Sequence, residues 1–320
     1  MRAIEFNNDI KFHTQYENPV PIEGEALVKV LMAGICNTDI EIIKGYMGFK
    51  GILGHEFIGI VEEINSGDQK LINKRVVGEI NCACGTCDYC LKGLSTHCPN
   101  RDVLGILNKN GCFADYITMP LGNLHEIPDS IANEEAVFVE PLAAAFEILE
   151  QIHIKPSNRI LILGDGKLGL LTALALNLTM ADITLVGKHN SKIDIAKSWG
   201  INSILLDQLE ITKNYDVIVE ATGTIGGFEM AQNLVKARGT IVLKSTVAGS
   251  KNINLAPLVI DEISLIGSRC GAFKPAIRAL QKKLIDIKPL ISGKFKFTEA
   301  DKALELSKTK GILKVIIDFS

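Results

Sequence analysis

The sequence predicts an α/β protein in two parts, an irregular antiparallel barrel followed by a doubly wound parallel sheet. Three observations carry this. Strand-like runs at 26–31, 57–63, 75–80 and 113–119 are bounded by Gly, Asn, Asp or Pro. From about residue 142, short apolar runs alternate with amphipathic segments. A glycine turn, Gly164-Asp165-Gly166-Lys167-Leu168-Gly169, follows the run RILIL and opens the helical run KLGLLTALALNL.

The chain has 320 residues, enough for two cores, because a single core stops growing near ~250–300 residues. With 47% hydrophobic and 22% charged residues it is of ordinary globular composition. The net charge of -3 gives no reason to expect nucleic acid or an anionic membrane as partner. No apolar run approaches the ~18–20 residues of a membrane span. Runs 160–163 and 168–178 come closest, and Gly and Lys interrupt them. The opening MRAIEFNNDIKF lacks the apolar stretch of a secretory leader. Eight cysteines without such a leader suggest a reducing compartment, where clustered cysteines are metal ligands more often than disulfides. The expected location is cytoplasmic.

Strands are expected at 159–163, 183–186, 203–205, 216–219, 240–243 and 263–266, with helices such as 191–199 and 227–236 between them. Six apolar strands joined by helices imply a parallel sheet. A helix over 140–151 joins the two halves. A further helix at 275–283 leads to a final strand at 313–319, and the pattern alone does not say which domain that tail joins.

In the glycine turn, Gly164 would make the tight bend, Gly166 would let backbone approach a pyrophosphate, and Gly169 would let helix pack on strand. The helix N-terminus at Lys167 and Leu168 offers unpaired N–H groups to phosphate. NAD sites usually carry an acidic residue at the end of the second strand. Here the chain reads Gly187-Lys188-His189. With no carboxylate expected there and Lys188 able to pair with a 2′-phosphate, NADP is favoured over NAD. Ser245, Thr246 and Arg269 follow the fifth and sixth strands, where cofactor contacts fall, although a surface role suits Arg269 nearly as well.

Cys84, Cys87, Cys90 and Cys98 fall within twenty residues, in a lobe over about 82–100. Four thiolates at this spacing make a closed tetrahedral structural zinc site. Cys82 adjoins the lobe, and Cys112 reads as core. A second donor set is Cys36, His55 and Glu56, since thiolate and imidazole suit zinc. Singly, each is as easily a small core residue or a structural histidine. Thr38 could hydrogen-bond an oxygen on the metal, and Glu140 lies where the first domain meets the second.

These segments, GICNTD, GHEF, the four-cysteine lobe, EPLA, GDGKLG, VEATG and GTIVLKST, stand in this order. Together they make the chain resemble the zinc-dependent medium-chain alcohol dehydrogenase superfamily, on the side of its polyol, threonine and glucose dehydrogenases. The resemblance covers nearly the whole chain. It implies a chaperonin-10-like β-barrel catalytic domain over 1–141, a Rossmann domain over 142–270 and a C-terminal return to the first domain over 271–320. The active site would lie in the cleft between the domains. It further implies two zinc ions per chain, the catalytic one held by Cys36 and His55 with Glu56 or Glu140. An alcohol and its carbonyl would be interconverted, with zinc as Lewis acid, Thr38 accepting the hydroxyl proton and hydride passing to the nicotinamide. A homodimer or homotetramer is implied.

Two departures stand out. Glu41 occupies the place where the family often has a proton-relaying histidine. The segment from Cys36 to His55 is also shorter than in many members. Other readings are a zinc-independent quinone-type reductase, a non-catalytic nucleotide-sensing protein and a zinc-ribbon nucleic-acid binder. The first usually lacks the four-cysteine lobe and the ligand Cys and His, the second has no use for Cys36, His55 and Glu140 together, and the short cysteine spacing and acidic net charge oppose the third.

Overall fold

The computed structural model describes residues 1–246 and 253–320. The chain divides into two compact units, one of Met1–Glu140 with Leu290–Ser320, the other of Pro141–Pro289.

The first unit is built around the strand Glu25–Ile35. One of its edges pairs antiparallel with Glu56–Asn65 along its length. The other edge is shared, with Tyr116–Pro120 on residues 25–29 and Lys314–Asp318 on residues 32–35. The sheet continues through Arg75–Gly78 to Leu124–Glu126 on one side, and to Ile291–Lys296 on the other. Glu25–Ile35 is buried at most positions, because both of its faces and both of its edges are covered. The last strand, Lys314–Asp318, is buried throughout, including its two charged ends. Two small three-stranded sheets complete the unit.

The second unit is a six-stranded, wholly parallel sheet. Its order is Asn202–Leu205, Asp182–Gly187, Arg159–Leu163, Tyr215–Glu220, Val235–Leu243, Ser264–Gly267. Numbered along the chain, this is 3-2-1-4-5-6, the order of a dinucleotide-binding sheet. Central strands such as Arg159–Leu163 are apolar at nearly every position, as burial on both faces requires. The α/β reading, with a barrel and a Rossmann sheet, therefore holds.

The return to the first unit starts at Leu290, not at 271. Residues 268–271 are fixed within the second unit. Buried Lys244 donates from Nζ to Ala144 O (2.5 Å), Ser268 Oγ (3.0 Å) and Arg269 O (3.0 Å). Gly271 packs so tightly on the helix Val139–Gln151 that an added Cβ would lie 2.1 Å from Ala143 O. The helix Phe273–Gln281 follows in the same unit. No helix among the described residues is long and apolar enough to cross a membrane.

Candidate active site

Cys36 ends the central strand of the first unit and caps the helix Asn37–Ile43. Its backbone N–H donates to Asp39 Oδ2 at 2.8 Å, a first-turn carboxylate bonding back to the cap. Its Sγ lies 3.6 Å from Thr38 Oγ1. His55 and Glu56 open the neighbouring strand, where Glu56 pairs with Gly34 across the sheet. Gly34 is required there, since an added Cβ would lie 2.5 Å from Glu56 Oε2 and 2.7 Å from Val137 Cγ1.

The ligand atoms of Cys36, His55 and Glu56 all lie within 4.8 Å of one another. His55 Nδ1 sits 3.2 Å from Asp39 Oδ1, an ion-pair contact without hydrogen-bond alignment. Asp39 Oδ1, His55 Nδ1 and Glu56 Oε1 are all buried without a hydrogen-bond partner. Buried polar atoms are rarely left so; Asp39 Oδ1 and His55 Nδ1 face one another, and a cation beside the thiol, imidazole and carboxylate would take up Glu56 Oε1. Burial alone would depress the His55 imidazolium. The Asp39 carboxylate, and after it Cys36, more than offsets this and raises its pKa well above the usual value. Asp39 thus stands behind His55 in the place of the outer carboxylate that would orient the ring were it to hold a metal.

Glu56 Oε2 is taken by Lys314, from the last strand of the chain. Burial opposes the charge on Lys314, but Glu56, then Cys36 and Glu140, raise its pKa. Its ammonium also lies 5.6 Å from the Phe138 ring centroid. Glu140 is half-buried in the first turn of Val139–Gln151, and it does not join the three-residue cluster. Glu41 pairs with Lys44 at the surface, 3.0 Å away.

In the lobe, Sγ separations are 3.5 Å for Cys87–Cys90, 3.5 Å for Cys84–Cys98 and 3.7 Å for Cys87–Cys98. A tetrahedron with zinc–sulfur bonds of about 2.3 Å spaces its sulfurs about 3.8 Å apart, whereas a disulfide needs about 2.05 Å. All eight cysteines are free, and these four form one cluster. Donors from Thr86 and the Cys87 amide hold the Cys84 thiol down to about 5, while partial desolvation and Cys87 push Cys90 up to about 12. Without a metal Cys90 therefore keeps its proton, and binding an ion there releases it. Cys82 lies outside it, its thiol pushed up to about 11 by burial. Cys112 is core, with Sγ 3.6 Å from Glu56 O.

In the second unit Gly164 has φ +119, and a Cβ on it would meet Ala221 O at 2.6 Å. One on Gly169 would meet Gly164 O at 2.0 Å, while Gly166, the N-cap of Lys167–Asn177, faces open space. Open space at the cap is what an approaching pyrophosphate needs. Ser245 Oγ accepts the Gly223 N–H at 2.9 Å. Thr246 and Arg269 are exposed beyond their strands, and Lys188 is exposed beyond Asp182–Gly187. One expectation fails there. A carboxylate does stand at the end of the second strand, supplied by Asp165 of the glycine turn, whose Oδ2 accepts Lys188 N–H at 2.7 Å. Composition and strand pattern could not show this, because Asp165 is twenty-three residues away along the chain.

Residues 22–129 match the model of the alcohol dehydrogenase GroES-like domain, and residues 168–285 that of the zinc-binding dehydrogenase family. A sorbitol dehydrogenase of Halalkalibacterium halodurans is 27% identical over 93% of this chain and 93% of its own. An Escherichia coli CFT073 alcohol dehydrogenase complexed with NADH superposes with a TM-score of 0.93, at 26% identity over 100% of this chain and 99% of that one. A zinc-binding dehydrogenase of Sinorhizobium meliloti 1021 bound to NADP gives 0.91, at 27% identity over 99% and 98%. The chain belongs to the zinc-dependent medium-chain dehydrogenase/reductase superfamily. It is an NAD(P)-linked oxidoreductase of the alcohol dehydrogenase type, interconverting an alcohol and its carbonyl by hydride transfer.

Removing one partner of a buried ion pair strands the other charge. Lys314→Met is therefore expected to cost about 3–5 kcal/mol in urea unfolding. Glu56→Gln in the same chain should restore most of that loss. Equal losses in the single and double variants would show that a stranded Glu56 charge is not the source of the cost.

Proposed function

We propose that the chain oxidises a polyol or sugar alcohol, using one catalytic and one structural zinc per chain, and that NADP is its preferred cofactor. The convergence of the Cys36, His55 and Glu56 ligand atoms, with buried Glu56 Oε1 left unpartnered among them, carries the reading. Cys36 and His55 hold the catalytic ion. The unpartnered Glu56 Oε1 puts Glu56 ahead of Glu140 as third ligand. The Cys84, Cys87, Cys90 and Cys98 thiolates hold the structural ion. The polyol class is that of the sorbitol dehydrogenase relative.

When bound, the catalytic zinc supplies Lewis-acid polarisation of the substrate oxygen, and the nicotinamide exchanges the hydride. Asp39 fixes both metal-binding positions, through the Cys36 amide and the His55 ring. Lys314 sets a buried positive charge beside Glu56, opposed by burial and favoured by Glu56, Cys36 and Glu140. Thr38 Oγ1 takes the substrate hydroxyl proton and passes its own towards solvent. Glu41, engaged by Lys44, takes no part. Lys188 meets the 2′-phosphate of NADP, with Ser245, Thr246 and Arg269 at the neighbouring strand ends.

Reduced-nicotinamide absorbance on zinc-replete protein tests this, with NADP and NAD run separately against polyols, aldoses, simple alcohols and hydroxy-amino acids. Turnover of a polyol or sugar with higher kcat/KM for NADP is expected, and a loss in Cys36→Ala of about a hundredfold or more. Undiminished turnover in Cys36→Ala would favour a zinc-independent reductase. Cofactor binding with silence across the panel would favour a nucleotide-sensing protein.

Among the described residues the sheet of the second unit ends at the strand Ser264–Gly267. Leu265, Val259 and Ile260 are exposed on and beside it. An uncovered apolar sheet edge invites pairing with a second copy. Light scattering should give two or four times the 34.8 kDa chain mass, and a strictly monomeric protein would oppose this.

A further inference from the structure

The cofactor preference proposed above rests on Lys188, and the surroundings of Lys188 carry it further. A Cβ added to Gly187 would lie 2.5 Å from both Cβ and Oδ2 of Asp165. The Asp165 carboxylate thus fills the space that a side chain at 187, the end of the second strand, would take. It is 8% exposed, and a single oxygen, Oδ2, accepts three bonds. These come from Lys188 N–H at 2.7 Å, His189 N–H at 2.9 Å and His189 Nδ1 at 2.9 Å. Burial opposes its ionisation, but His189 and the two amides, followed by Lys192, hold its pKa below the usual carboxylate range.

An acid that recognises the ribose of NAD must offer its oxygens to the 2′-hydroxyl. Asp165 spends one of them inside the protein, on the loop that follows the neighbouring second strand. The bonds pin the backbone at 188 and 189 and turn Nδ1 of His189 inward, leaving Nε2 on the opposite side of a half-exposed ring. Exposed Lys188 stands beside it. Lys192, on the helix Asn190–Ser198 that His189 caps, is 7% exposed, donates its backbone N–H to His189 O at 3.0 Å and adds a positive charge that helps hold down the Asp165 pKa. One compensated carboxylate among two lysines and a histidine leaves net positive charge, and a phosphate monoester brings three acceptor oxygens to match it.

We infer that Asp165 is the positioning residue of the adenosine-ribose subsite, holding His189 so that it and Lys188 together bind the 2′-phosphate of NADP. The acid in the glycine turn thereby promotes NADP selection instead of opposing it. Asp165 acts through the loop and touches no cofactor atom.

Calorimetric titration of the zinc-replete protein with NADP and with NAD tests this without requiring a substrate. His189→Ala and Asp165→Ala should each weaken NADP by about tenfold or more, with NAD changed less than about threefold. Asp165→Asn, whose amide oxygen still accepts the two backbone N–H bonds, should retain most of the NADP affinity. Equal losses for both cofactors would reduce Asp165 to a structural role and overturn the inference. Tighter NADP binding in Asp165→Ala would also overturn it, by showing that the carboxylate repels the phosphate. If Asp165→Ala does not fold, His189→Ala and Asp165→Asn decide by the same criteria. The wild-type ratio of the two affinities tests the NADP preference separately, since the inference concerns only how that ratio moves.

Discussion

Four ionisable side chains, Asp39, His55, Glu56 and Lys314, sit together in the first unit at 0–3% exposure. Taking such groups out of water costs several kcal/mol each unless partners replace the solvent. Lys314 and Glu56 answer one another across the sheet, and Asp39 answers the Cys36 amide. The other Asp39 oxygen faces His55 Nδ1 at 3.2 Å, and Glu56 Oε1 is left without a partner. A divalent cation held by Cys36, His55 and Glu56 would take up that remaining oxygen. The barrel's strands are arranged to bring these groups together. Glu25–Ile35 delivers Cys36, its neighbour delivers His55 and Glu56, and the final strand of the chain returns to deliver Lys314.

The second unit meets a different constraint, the close approach of backbone. Gly164 and Gly169 leave no room for a side chain, while Gly166 opens onto space at a helix N-terminus. The lobe needs only local chain. Four cysteines within fifteen residues bring their sulfurs to tetrahedral spacing through two short helical turns. An ion held there would offset the charge of four thiolates crowded together.

What could be read from the chain was what is local or periodic. The six parallel strands were placed within a few residues, because each is a short apolar run between turns. The start of Val235–Leu243 was missed, since Lys236, Arg238 and Gly239 break its apolar character. The four-cysteine cluster and the glycine turn were legible because their spacing is their geometry. Asp39, Lys314 and Asp165 were not. Asp39 looks like an ordinary first-turn helix acid. Lys314 looks like a solvated lysine before an apolar strand, although a charge at the head of a fully buried run was a usable signal. Asp165 looks like a polar residue in a turn until the parallel pairing of Arg159–Leu163 with Asp182–Gly187 brings it against Gly187.

The central claim is that the chain holds two metal centres of different chemistry. X-ray absorption at the zinc edge of fully loaded protein reads this directly. A closed four-sulfur site and a second with a single sulfur average to about 2.5 sulfurs per zinc, with nitrogen and oxygen making up the rest. Two zinc ions per chain with that mixed shell is the predicted result. One zinc per chain with a purely sulfur shell would mean that Cys36, His55 and Glu56 bind no metal, and the account of the buried charges would fail.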